Sequence, residues 1–112
     1  KKQGGEDDGF AFTDYNAVTN AWHYEALKLM EDIAGALDKQ DDATFYASES
    51  DAFKKRFIRS FFNARKGYFT DGLASDTDHA SLHGNMFPLA FDLVPAGKKQ
   101  NVVDFIQPAD GL

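Results

Sequence analysis

The side chains in this sequence that could do chemistry gather in two short stretches. One holds Asn20, Trp22 and His23; the other runs from Asp71, in a Thr-Asp-Gly turn, to His79 and His83. His79 and His83 are four residues apart, so a helix through both would put them on one face, at the spacing of a zinc-binding pair. That motif needs a Glu directly after its first His, and here Ala80 follows. No third ligand suggests itself, so no metal site is expected. The chain has no cysteine, which removes thiolate sites and disulfides together. Ser81 lies between the two His, but no Gly-x-Ser-x-Gly elbow surrounds it and no oriented base stands ready to activate it. Gly4-Gly5 precedes a polar stretch and not a strand-to-helix turn, so no phosphate loop is read and no cofactor is expected.

What remains is the chemistry of holding hydroxyl groups. Imidazoles, amides and carboxylates bond hydroxyls, while an aromatic ring offers a flat apolar face. The candidate substrate-binding residues are therefore Asp71, His79, His83, Asn20 and His23. An Asp in a turn most often bonds its own backbone, yet a carboxylate in a loop at this end of the fold is the best candidate for direct substrate contact. His79 is placed at the mouth as a ligand residue, and His83, one turn deeper, more as a brace. Trp22, the only Trp, reads as a core aromatic in preference to a stacking platform. Glu25, Glu31, Glu49 and Asp51 read as solvated mid-helix charges.

These side chains need elements to position them. Tyr15, Val18, Trp22, Ala26, Leu29, Ile33 and Leu37 recur at three- and four-residue steps, which predicts a helix from about Asp14 to Leu37. Thr13 or Asp14 would cap it. Leu27, Met30 and Ala34 widen the stripe enough for packing on two sides. A polar turn over Asp38 to Asp41 should then give an antiparallel neighbour, from about Asp42 to Ala64, with Tyr46, Phe53, Phe57 and Phe61 on its seam. Lys54, Lys55, Arg56 and Arg59 read as its solvated face. Residues 66–78 should form a loop with a brief extended turn at Tyr68 to Thr70. A third helix is expected from about His79 to Leu93, capped by Asp78 or Asp76, with Pro88 crowding the carbonyl of Gly84. A short fourth runs from about Lys98 to Gln107. Up-and-down connection leaves the first and third helices parallel, so their N-termini, which carry the candidate residues, face one end. The fold class is all-α, two antiparallel helical hairpins.

Length and composition agree. A chain of 112 residues builds one modest core, and 43% hydrophobic with 27% charged residues is globular. Lys1 to Gly9 is expected to be disordered, and the abrupt Lys1 start reads as a cut. A net charge of −6 with scattered lysines argues against nucleic acid as a partner. No apolar run approaches the ~18 residues of a membrane span.

The runs NAVTNAWHYEALKLMEDIAGAL, GYFTDG and HASLHGNMFPLAFDLVP resemble a stretch of the catalytic domain of glycoside hydrolase family 78, the bacterial α-L-rhamnosidases. The likeness extends from about Phe10 to Ile106. The segment that opens His-x-x-x-His-x-Asn and ends Val-Pro is its most specific part; the hairpin before it is generic to α/α-toroid enzymes. The resemblance implies an (α/α)6 toroid, of which this chain supplies roughly two hairpins. It also implies hydrolysis of a terminal α-linked L-rhamnose with inversion by two carboxyl groups roughly 6.5–9.5 Å apart. No catalytic residue carries over, because the segments bearing that acid and base match nothing here, and the fragment alone is expected to be inactive. Gly84 stands where the similar proteins would have Ala, and the tail PADGL departs from the segment that leads into the next inner helix. For such a parent a periplasmic or secreted location is plausible, with a rhamnoside carbohydrate as its substrate. The fragment, with apolar faces bared, is expected to self-associate. The alternatives are a non-catalytic helical module that binds a protein, suggested by eleven Phe in a short chain, and part of another toroid glycosidase of trehalase or glucoamylase type. An open reading frame continuing on both sides would favour the enzyme.

Overall fold

Asn16 opens the first helix: its side-chain Oδ1 accepts the backbone N–H of Thr19 at 2.9 Å, one of the donors a helix start leaves without a partner. The computed structural model describes residues 16–107, so the expected caps Thr13 and Asp14 and the expected disorder of Lys1 to Gly9 lie outside the described residues. From Asn16 the helix α1 runs over Ala17–Ala36. It ends where Asp38 takes a left-handed φ of 60° and Lys39 N–H reaches back to the carbonyl of Ala34 at 2.8 Å. That six-to-one bond closes the last turn. The second helix, α2, occupies Gln40–Phe61, with Asp41 and Asp42 in its first turn and Arg59 in its last, each suited to the helix dipole.

The short connection folds α2 back along α1, and His23 on one helix stacks on Phe53 of the other at 4.7 Å. The face of α1 turned inward is not the one the apolar spacing picks out. Ala17, Ala21, Tyr24 and Ala34 are buried, while Trp22, Leu29, Met30, Ile33 and Leu37 are exposed large hydrophobics. At 3.6 residues per turn the two sets lie on nearly opposite sides of the helix. The wide stripe expected to pack on two sides is instead largely exposed, with Trp22 of it resting on Phe87 and Phe91. Small Ala17 and Ala21 let α1 lie close against its neighbours. On α2 the expected seam holds: Phe57 and Phe61 are buried and Phe53 packs against the core. Lys55, Arg56 and Arg59 are exposed. Burial pushes the Tyr24 phenol above its ordinary pKa.

At the end of α2 the chain becomes extended. Strand β1, Phe62–Asn63, pairs antiparallel with β2, Tyr68–Phe69, in the register Phe62↔Phe69 and Asn63↔Tyr68. The turn between them is organised by Asn63, whose Oδ1 accepts the N–H groups of Arg65 and Lys66, each at 3.1 Å. Gly67 completes it with φ 85°, and a Cβ there would stand 2.9 Å from Asn101 Nδ2. The ladder tucks Phe62 and Phe69 beside Phe57 and Phe61 in one aromatic cluster. Two short helices follow, α3 over His83–Ala90 and α4 over Lys99–Ile106. α4 buries Val102 and sets Phe105 against Tyr68 at 4.4 Å. The architecture is all-α, with the small ladder as the link between the two helical halves.

The third helix is shorter than its periodicity suggests. It continues through Pro88 to Ala90, then stops where Asp92 adopts φ 62° and Leu93 N–H bonds the Pro88 carbonyl at 2.8 Å. At the other end, neither Asp76 nor Asp78 caps it. Ser81 does so, its hydroxyl oxygen accepting Gly84 N–H at 3.0 Å.

Candidate functional site

The loop between β2 and α3 is built around Asp71, which is 0% exposed. Its backbone N–H donates to the His79 carbonyl and its own carbonyl accepts the N–H of Ala17, both at 2.8 Å. One carboxylate oxygen, Oδ1, accepts Ser81 N–H at 3.0 Å. The other, Oδ2, lies 2.5 Å from His79 Nδ1. One residue thus ties the first residue of α1, through its backbone carbonyl, to the segment that leads into α3, through its side chain. The N-termini of these helices meet there, and Trp22 then lies against Phe87 and Phe91 further along both. That progression makes α1 and α3 parallel, as up-and-down connection requires.

Three more buried polar groups brace the loop. Thr70 donates its hydroxyl toward the carbonyls of Phe61 and Gly72, at 3.1 and 2.8 Å. Asn85, 0% exposed, extends the β ladder with its side chain. Its Oδ1 accepts Phe69 N–H at 2.8 Å, and its Nδ2 donates to the carbonyls of Phe69 at 3.1 Å and Ser81 at 3.0 Å. Ser81 caps α3. Sequence reasoning missed all three. The available signal was Asn85 itself, an amide amid Met86, Phe87, Pro88 and Leu89, where burial demands partners.

The candidate residues divide among three places. Asp71 and His79 are brought together, but in unequal positions: the carboxylate is buried, while the imidazole side chain is 48% exposed. The expected direct contact of Asp71 with a ligand does not fit that burial, because one oxygen accepts Ser81 N–H and the other faces the His79 ring. His79 sits in the loop and not on α3, so the helical four-residue face that it was expected to share with His83 does not form. The cause is tertiary: Asp71 takes the carbonyl of His79 and the N–H of Ser81 for itself. His83 opens α3 and stacks over Phe87 at 6.0 Å. Asn20 is half-buried and donates to the Asn16 carbonyl at 2.8 Å. It borders an apolar groove of about 200 Å³ with Phe53, Arg56, Phe57, Ser60, Phe61 and Leu73. His23 lies against Phe53 on that same α2 side. Trp22 is no core residue. At 51% exposure it rests edge-on against Phe91, ring centroids 4.9 Å apart.

The site is thus a loop held by its buried polar groups, with one imidazole half open beside the starts of two helices. Residues 1–107 match the family described as the bacterial alpha-L-rhamnosidase 6 hairpin glycosidase domain. The chain belongs to that family. No curated protein matches it. Membership in the rhamnosidase six-hairpin family makes the chain part of a glycoside hydrolase domain and accounts for its helical hairpins.

Proposed function

We propose that this chain forms part of a catalytic domain that hydrolyses terminal α-L-rhamnose with inversion, and that the end where α1 and α3 begin is its sugar-facing end. Family membership supports the reaction class. The observation that carries the placement is His79, half open to solvent on a buried carboxylate, beside two helix starts. His79 would bond a sugar hydroxyl directly. Asp71 would act through it, and His83, which opens α3, would shape the surroundings. Asn20 and His23 face the α2 side and would reach a ligand only along the apolar groove there. The acid and base of an inverting hydrolase stand roughly 6.5–9.5 Å apart with water between them. A carboxylate turned onto Ser81 and His79, as that of Asp71 is, suits neither task.

Kinetics on an aryl α-L-rhamnoside test this reading. In a complete six-hairpin domain, His79→Ala should lower kcat/KM by roughly 10- to 100-fold, as loss of a hydrogen bond to a polar partner does, with the fold retained by circular dichroism at the assay temperature. Unchanged kcat/KM would refute the placement. The 112-residue chain alone should release nitrophenol no faster than buffer does, and a faster rate would refute the fragment reading.

The bare stripe of α1 supports a further part of the proposal, that the isolated chain associates with a second copy. Trp22, Ala26, Leu29, Ile33 and Leu37 follow the three-and-four spacing of a helix seam. Light scattering should show a dimer whose dissociation on dilution makes Trp22 fluorescence easier to quench with acrylamide. A monomer at high concentration with fully quenchable Trp22 contradicts it.

A further inference from the structure

We propose that Asp71 is a positioning residue that holds His79 in the Nδ1–H tautomer, so that Nε2 accepts a hydrogen bond from a ligand hydroxyl. The inference rests on the placement of the sugar-facing end given above, and adds which atom receives the ligand and what aims it. A neutral imidazole has one donor nitrogen and one acceptor nitrogen, and its neighbours decide which is which. An ionised carboxylate only accepts, so with Oδ2 2.5 Å from Nδ1 the proton belongs on Nδ1 and the lone pair on Nε2.

The carboxylate cannot turn away to spoil this choice. Ser81 N–H fixes Oδ1, and the Asp71 backbone is tied at its carbonyl by Ala17 and at its N–H by His79. The His79 backbone is held too, since its N–H donates to Thr77 Oγ1 at 3.0 Å. The ring is therefore anchored at its backbone and at one nitrogen, with the second nitrogen across the ring from the buried anchor. Burial is lopsided: 0% for the carboxylate and 48% for the imidazole side chain. The arrangement suits an acceptor offered to a ligand that can donate, and a sugar hydroxyl is such a ligand.

Asp71→Asn tests the idea because the surroundings dictate the result. Ser81 N–H keeps the amide oxygen on its side, so the amide NH2 faces Nδ1 and donates to it. His79 must then carry its proton on Nε2. Long-range proton–nitrogen NMR of the labelled chain should show His79 protonated on Nδ1 in the wild type and on Nε2 in Asp71→Asn. A wild-type ring protonated on Nε2 overturns the inference even if the variant fails to fold, and leaves the sugar-facing placement standing. In the complete domain, Asp71→Asn should lower kcat/KM on an aryl rhamnoside by roughly 10- to 100-fold, as His79→Ala does. If His79→Ala loses activity and Asp71→Asn does not, the positioning role alone is wrong. If His79→Ala keeps full activity, the placement fails and the inference falls with it.

Discussion

Replacing Asp71 by Ala separates a surface turn from a buried hub. At a surface turn, removing an Asp costs within about half a kcal/mol. Here the substitution removes the acceptor of Ser81 N–H, at a residue only 5% exposed, and the charged partner of His79. Hydrogen bonds to a charged group are worth about 1.5–3 kcal/mol each, and a buried donor left unpaired costs about 1–3 kcal/mol. Two effects reduce the total: His79 is half exposed and can turn to water, and the variant no longer has to desolvate a carboxylate. A net loss of about 3 kcal/mol follows. For a domain near this size each kcal/mol moves the melting point by about 4–8 °C, so the shift should be roughly 12–24 °C. Far-UV circular dichroism melts at matched concentrations measure it, with His79→Ala as the comparison. His79→Ala should shift less, because Asp71 keeps the Ser81 bond and water can take the vacated place. An Asp71→Ala melt within about 3 °C of wild type would show that the buried bonds carry little stability, and the reasoning would fail.

Asn85→Ala strips Phe69 N–H of its acceptor and should destabilise by about 2–4 kcal/mol. Hydrogen exchange should then quicken at the Phe69 amide before it does in α1. Asp38→Gly relieves the left-handed φ of 60° at the end of α1 and should stabilise by about 0.5 kcal/mol, read as a small rise in melting temperature. Tyr24→Phe tests the raised phenol pKa, whose first cause is burial. A raised pKa favours the neutral form in the fold, so this stability is intact below the unfolded value of about 10 and is lost as pH rises through the folded one. Melting temperature should therefore drop more steeply with pH above about 10 in wild type than in Tyr24→Phe, and identical slopes would count against the burial argument.

The long helices were legible because spacing alone marks them: α1, α2 and α4 fall within a few residues of their expected bounds. Which side of α1 faces inward was not legible. Periodicity finds the larger apolar residues, and it weighted Trp22 and Ile33 over Ala17 and Ala21, whose value is the close approach that they allow. The start of α3 was hidden for another reason. The run from His79 has helical spacing, yet Asp71 removes its backbone groups by bonds across the loop, and no local rule sees them. The candidate site was half readable. Asp71 and His79 were picked out by residue type, but their relation, one buried and one open, exists only in three dimensions. Asn20 and His23 are close to Trp22 in sequence, yet they turn to the α2 side, as the pitch of α1 dictates.

The bond from Ala17 N–H to the Asp71 carbonyl also bears on the order of folding. The α1–α2 hairpin is made of contacts close in sequence, which close quickly and at little entropic cost. The start of α1 can be fastened only after the chain has passed through α2, the ladder and the turn after it. The hairpin should therefore exist in the folding transition state while the Asp71 junction is still open. Loosening that junction would leave the folding rate nearly unchanged and let the native state come apart faster. The lifetime of the end where α1 and α3 meet is set by the last knot tied.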